Sequence, residues 1–232
     1  MPYGHLAICI FVCTQKIDLS MLHITSFTFN PFQENTYVLH NDQNEAWIID
    51  PGNQTPVEDQ KLMNFIEDKN LKPSRIINTH AHLDHIFGNQ ALVEAYRIPV
   101  YLHKGEYDTY KAAPQVAQMY GLPPFEIPPV TEFIDVEQTM QLGEEIFQLL
   151  FTPGHSPAEV SLYHAESHSL IAGDVLFRDS IGRTDLPGGD HPTLLRSIRE
   201  KFWPLPDETK VYSGHGPQTT IGYEKENNPF LK

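Results

Sequence analysis

Thr79-His80-Ala81-His82-Leu83-Asp84-His85 places four candidate metal ligands, His80, His82, Asp84 and His85, within six residues. The segment Arg75 to Asn78 in front of it reads as a short buried strand, and Ile86 to Tyr96 behind it has helical spacing. In extended backbone alternate side chains share a side, so His80 and His82 face one way, while the turn into the helix redirects Asp84 and His85 beside them. One strand-to-helix loop therefore offers two separate ligand sets, as two adjacent ions require. Each residue alone has an ordinary reading, Asp84 as a helix N-cap and each histidine as a core or surface residue. Their coincidence in one loop favours a metal.

Upstream of this loop, Leu22 to Phe29, Thr36 to His40 and Ala46 to Ile49 are strand-like, separated by Asn30-Pro31 and by Asn41-Asp42-Gln43-Asn44. Pro56 to Asp68 has apolar residues at Val57, Leu62, Phe65 and Ile66, the spacing of a helix. Downstream, Val100 to His103 is a strand. Gly105 to Pro129 interleaves Tyr107, Tyr110, Tyr120 and Phe125 with five prolines and is expected to be a long irregular loop, a pocket wall or a packed excursion. Strands follow near Thr139 to Gln141, Ile146 to Thr152, Val160 to Tyr163 and Leu170 to Ala172, then a helix Thr193 to Phe202 and a strand Lys210 to Ser213. The repeated order of sheet then helix predicts an α/β (α+β) fold, two mixed sheets packed together with helices outside.

Three more candidate ligands stand where these later strands end. His155 lies in Thr152-Pro153-Gly154-His155-Ser156-Pro157, where Gly154 permits a tight turn that aims the imidazole out of the sheet. Asp174 follows Ala172-Gly173 and alone would pass for a turn aspartate; His215 sits between Gly214 and Gly216, whose bareness lets backbone approach a crowded centre. Five histidines and two aspartates are enough for two ions sharing one carboxylate, with a position left open for water.

Composition narrows the classes of function. The 232 residues include 16 Lys and Arg against 30 Asp and Glu, a net charge of −14 without any basic stripe, so no nucleic-acid partner is expected. No apolar run is long enough to span a membrane. Cys9 and Cys13 cannot form a disulfide scaffold, and a reducing cytoplasm is the expected location. Leu6 to Val12 is apolar but lacks the basic flank of a secretory signal. Residues 1–20 read as an extension ahead of Met21, expected to be poorly ordered, with an edge strand over Ala7 to Val12 as the alternative; residues 21–232 form one catalytic domain.

His80-x-His82-x-Asp84-His85, followed in order by His155, Asp174 and His215, resembles the metallo-β-lactamase fold superfamily from about Leu22 onward. The resemblance implies a four-layer αβ/βα sandwich with two divalent ions between its halves. His80, His82 and His155 would bind the first ion and Asp84, His85 and His215 the second, with Asp174 bridging. Zinc is the expected metal, and the same ligands tolerate iron or manganese. Asp84 and Asp174 are accordingly the catalytic carboxylates. An aspartate at position 174 is similar to the glyoxalase II branch and unlike the true lactamases. Ser180 to Gly189 contains Gly182-Arg183-Thr184-Asp185, which resembles an element of single-domain glyoxalase II-like hydrolases and of persulfide dioxygenases. Standard glyoxalase II also has a C-terminal helical domain that helps hold glutathione, and the 17 residues after His215 offer no counterpart.

The implied activity is hydrolysis of a small acyl thioester of the S-D-lactoylglutathione type, by a metal-bridging hydroxide that needs no separate base. The alternative is a persulfide dioxygenase with one iron on His80, His155 and Asp174. Asp50, in Ile48-Ile49-Asp50-Pro51-Gly52, is a candidate acceptor behind a ligand ring or a plain turn aspartate. Arg183 is the candidate substrate-binding residue, with a structural pair to Asp185 as its ordinary reading. Tyr107, Tyr120 and Phe177 could line an acyl pocket, although aromatic residues are mostly core. His103, His164, His168 and His191 read as ordinary surface residues, and the chain as a monomer or homodimer.

Overall fold

The structure is a computed structural model that describes residues 21–232; the expected extension over residues 1–20, with its alternative strand and both cysteines, lies outside the described residues. Along the first sheet the side chains alternate as the pleat demands. Its strands are β1 (His23–Phe29), β2 (Glu34–His40), β3 (Glu45–Ile49), β4 (Lys72–Ile77), β5 (Val100–His103) and β6 (Glu132–Ile134), side by side in that order. The first three are antiparallel, and from β3 to β6 the neighbours run parallel. Val38, Ile48 and Ile76 face outward against Leu62 and Ile66 of α1 (Pro56–Asp68) and Leu92 of α2 (Asn89–Tyr96). Thr55 starts α1 with a reciprocal cap: its hydroxyl accepts from the Glu58 N–H, and Glu58 accepts from the Thr55 N–H.

The opposite face of that sheet carries Leu39, Trp47, Ile49 and Ile77, and these meet Leu142, Phe147, Leu149, Leu162 and Ile171 of the second sheet. Trp47 and Phe147 lie 5.1 Å apart, centroid to centroid, across the interface. The second sheet runs β14 (Thr219–Thr220), β13 (Lys210–Ser213), β10 (Ser169–Gly173), β9 (Val160–His164), β8 (Glu145–Phe151), β7 (Thr139–Leu142), while β11 (Leu176–Phe177) and β12 (Ser180–Ile181) pair with each other alone. On its far side Leu170 and Val211 pack on Leu194 of α4 (His191–Ser197) and Ile221 of α5 (Ile221–Asn227). Helix, sheet, sheet, helix is the four-layer αβ/βα sandwich expected from the sequence.

Three boundaries differ from the sequence reading. The irregular loop expected over residues 105–129 contains helix α3 (Tyr107–Met119) with Pro114 inside it. Tyr110, Ala113 and Ala117 form a buried stripe at helical spacing, and this burial outweighs the proline. The helix expected from Ile86 begins only at Asn89, because a tight turn over Leu83–His85 comes first; Asp84 does not cap it. The last expected helix splits into α4, which starts at the Asp190 cap, and a wider turn over Ile198–Phe202.

This topology also fixes where the site can form. Strands β8 and β10 are both antiparallel to β9, and β13 is parallel to β10, so all three end on one edge of their sheet. That edge is tied to the end of β4 by Val160 N–H donating to Thr79 O at 2.9 Å. Asn35 N–H donates to Gly214 O and Gly214 N–H to Gly173 O, both at 2.7 Å, which joins the start of β2 to the ends of β10 and β13.

Candidate metal centre

The seven predicted ligands come together at these strand ends. His80 and His82 follow β4, His155 follows β8, Asp174 follows β10 and His215 follows β13. Gly154 has φ +133, which an L side chain rarely adopts, and the turn it permits carries His155 to the centre. A Cβ on Gly214 would lie 2.2 Å from Asp174 Oδ1 and 2.8 Å from His85 Cε1, so only glycine lets this backbone pass. The tight turn over Leu83–His85 places Asp84 and His85 beside the two earlier imidazoles.

Two ligand sets adjoin, bridged by a third grouping of Asp50, His80 and His85. One ring nitrogen from each of His80, His82 and His155 lies within 4.8 Å of the others, and the same holds for ligand atoms of Asp84, His85 and His215. His82 Nδ1 faces His155 Nε2 at 2.8 Å. Asp174 stands between the sets, with Oδ2 3.4 Å from His155 Nε2 and 3.5 Å from His215 Nε2, and Oδ1 3.5 Å from His85 Nε2. Asp84 Oδ2 is 3.3 Å from His215 Nε2.

The chemistry of these atoms fits bound cations. His80 Nε2, His85 Nε2 and Asp174 Oδ1 are buried without a hydrogen-bond partner, a state that costs about 1–3 kcal/mol per group when nothing offsets it. Behind two of the rings a carbonyl fixes the tautomer: His155 Nδ1 donates to Arg183 O at 2.8 Å and His215 Nδ1 to Phe32 O at 3.1 Å, leaving each Nε2 free to ligate. Asp50, the candidate acceptor behind a ligand ring, has Oδ2 3.2 Å from His85 Nδ1.

Electrostatics separate the two sets. Burial brings His82 down to about 3, and burial reinforced by neighbouring imidazoles holds His80 far below its ordinary value, so both rings are neutral. His85, which burial alone would lower, is carried well above its ordinary value by Asp174 and Asp84. Burial also opposes charge on Asp174, but His85 and His155 outweigh it and hold the carboxyl below the usual range. The way in lies beside half-buried His82 and beside Asp84 and His215, whose side chains are 15% and 24% exposed, whereas His80 and His85 are fully enclosed.

Three buried glutamates around the centre were not picked out from the sequence. Glu106 Oε1 accepts from Ser156 Oγ and Ala158 N–H, both at 2.7 Å, and Oε2 accepts from Ala81 N–H at 3.2 Å, so it ties the two loops that carry the first set. Glu159 Oε1 accepts from Asp174 N–H at 2.6 Å, and Glu34 Oε1 lies 3.9 Å from His85 Nδ1. Glu159 left a signal, a charged residue opening an apolar strand; Glu106 left none.

Other sequence expectations are placed as follows. The Arg183 guanidinium makes a two-pronged pair with Asp185, both bonds 2.7 Å, on a side chain 62% exposed. Phe177 stands perpendicular to the His215 ring at 6.1 Å, whereas Tyr107 packs on Phe133 and Tyr120 is exposed. His164 is a correction: it is not a surface residue but is 2% exposed, paired with Glu145 at 2.9 Å and packed at a tilt against Phe147. Its strand points it inward, toward an acid that the sequence reading did not pair with it. A cavity of about 420 Å³ lined by Arg75, Tyr101 and Met140 contains none of the seven ligands.

Residues 29–215 match the family described as the metallo-beta-lactamase superfamily. This chain belongs to that superfamily. It is 42% identical over 203 residues, 87% of this chain and 93% of the relative, to the probable metallo-hydrolase YqgX of Bacillus subtilis. It is 35% identical over 212 residues, 90% of this chain and 98% of the relative, to the hydroxyacylglutathione hydrolase GloC of Haemophilus influenzae. Among solved structures it is similar to the BLEG-1 B3 metallo-beta-lactamase, with a TM-score of 0.82, 41% identity, and coverage of 90% of this chain and 100% of that one. As a superfamily member it is a metallo-hydrolase. Among the described residues no helix is long and apolar enough to cross a membrane.

Proposed function

We propose that the chain hydrolyses small acyl thioesters of the S-D-lactoylglutathione type at a centre of two divalent ions, zinc being the expected metal. The observation that carries this reading is Asp174, a single carboxylate with one oxygen toward His85 and the other toward both His155 and His215. Such a carboxylate would be shared by both ligand sets when ions are bound, and an aspartate there resembles the glyoxalase II branch. The 35% identity to a hydroxyacylglutathione hydrolase supports the same substrate class.

When bound, the ions would supply a nucleophilic water at neutral pH and positive charge where a carbonyl oxygen becomes negative. His80, His82 and His155 would hold the first, and Asp84, His85 and His215 the second. The chain's own contribution is orientation and enclosure. Neutral imidazoles in the first set present lone pairs without prior loss of a proton, and the buried walls keep bulk water to the side lined by His82, Asp84 and His215. A departing thiolate leaves without protonation, so no side chain need act as general acid. Phe177, beside His215, is placed to meet an acyl group that enters there.

Three assays on the metal-loaded protein test the reading: cleavage of S-D-lactoylglutathione, cleavage of a β-lactam, and oxygen uptake with glutathione persulfide. Thioester cleavage without oxygen uptake is expected. β-Lactam turnover in its absence, or oxygen consumption with one iron per chain, would overturn the proposal.

A further inference from the structure

Thr79 has one hydroxyl proton and two close neighbours competing for it. Asp50 Oδ2 lies 2.6 Å from Thr79 Oγ1, and His80 Nδ1 lies 3.0 Å from it. A carboxylate has no proton to give, so the hydrogen between Thr79 and Asp50 is the threonine's own. Toward His80 the hydroxyl can then only accept. His80 Nδ1 must carry the ring proton, which leaves Nε2 bare, and Nε2 is the buried atom without a partner at the centre. The other acceptor near Nδ1, Glu159 Oε1, is farther away at 3.5 Å and already accepts from Asp174 N–H at 2.6 Å.

The same threonine locks the carboxylate it donates to. Its backbone N–H donates to Asp50 Oδ1 at 2.7 Å, so both oxygens are held by one residue, and Oδ2 lies 3.2 Å from His85 Nδ1, an ion-pair contact outside hydrogen-bond geometry. His80 and His85 sit in different ligand sets, yet their rings are only 4.2 Å apart, centroid to centroid.

We infer that the Thr79 hydroxyl is a positioning group shared by both halves of the centre: it sets the tautomer of His80 and holds the Asp50 carboxylate against His85. Its consequence for metal binding rests on the proposed ligand sets. The tautomer itself is a property of the metal-free chain.

Thr79→Val keeps the branched shape and removes the hydroxyl, while Thr79→Ser keeps the hydroxyl and removes the methyl. Ring ¹⁵N spectra of metal-free protein should show His80 with Nδ1 protonated in the wild type and in Thr79→Ser, and a changed or mixed tautomer in Thr79→Val. Competition with a chelator should show zinc held about 10- to 100-fold more weakly by Thr79→Val, with the serine variant restored. A wild-type His80 protonated on Nε2 would overturn the inference even if the valine variant failed to fold. So would a serine variant as weak as valine, since the methyl would then be what matters. If no variant binds zinc but the spectra change as expected, the ligand reading falls and the Thr79 inference stands.

Discussion

The strand-end centre and the His164 pair both join buried imidazoles to carboxylates, and in both, ligand-type atoms from three residues lie within 4.8 Å of one another, the third at His164 being the exposed Glu166. They differ in hydrogen-bond accounting. His164 Nδ1 meets Ser167 Oγ at 2.7 Å and Nε2 meets Glu145 Oε2 at 2.9 Å, so both ring nitrogens are engaged and only Glu145 Oε1 is left over. At the centre, His80 Nε2, His85 Nε2 and Asp174 Oδ1 point inward with nothing to bond. Proximity of ligand-type residues therefore does not by itself mark a metal site. Converging buried atoms left without hydrogen-bond partners do.

The largest expected effect that sharpens this contrast is at Asp174. Asp174→Asn removes the charge shared between the two sets and should cut thioester turnover on the order of a thousandfold or more, with circular dichroism unchanged. Near-wild-type turnover would remove Asp174 from the reaction.

Next comes proton release. His85 and His215 both lie above their ordinary values through the carboxylates facing them, so metal binding must displace protons, and apparent affinity should fall as pH is lowered. Calorimetry of zinc binding in buffers of different ionisation enthalpy reads that release directly. Heats independent of buffer would contradict it.

The closed pair should behave oppositely. His164→Gln is expected to cost about 1–3 kcal/mol of stability in urea unfolding and to leave turnover unchanged. A loss of activity without a loss of stability would make the two clusters alike.

The smallest effect is at Arg183, whose exposed pair to Asp185 should contribute little to folding. Arg183→Ala should leave the unfolding midpoint unchanged and raise KM with kcat unaltered, as for a group that binds substrate and transition state equally. An unchanged KM would leave the guanidinium with Asp185 alone.

Much of this was legible in the sequence, for physical reasons. Four ligands crowd into residues 80–85 because one loop serves both sets, so local density announces them. His155, Asp174 and His215 are single residues at separate strand ends; only their order in the chain, matched to a family, linked them. Strand-like runs bounded by turn residues gave the two sheets, because most of these strands are buried on both faces and read as near-continuous buried segments. Helix α3 was hidden because Pro114 and the neighbouring tyrosines suggested a loop, while the stripe Tyr110, Ala113, Ala117 depends on what it packs against, Ala81 and Ile86 of the ligand loop among them. Glu106 was invisible because its three donors come from residues 81, 156 and 158, which only the fold brings together.

The most direct measurement is the number of zinc ions per chain after reconstitution, in the wild type and in an Asp84→Ala/His215→Ala double variant. A dinuclear centre held by the two sets predicts two ions in the wild type and one in the variant. A single ion in the wild type, or the same count in both proteins, would contradict it.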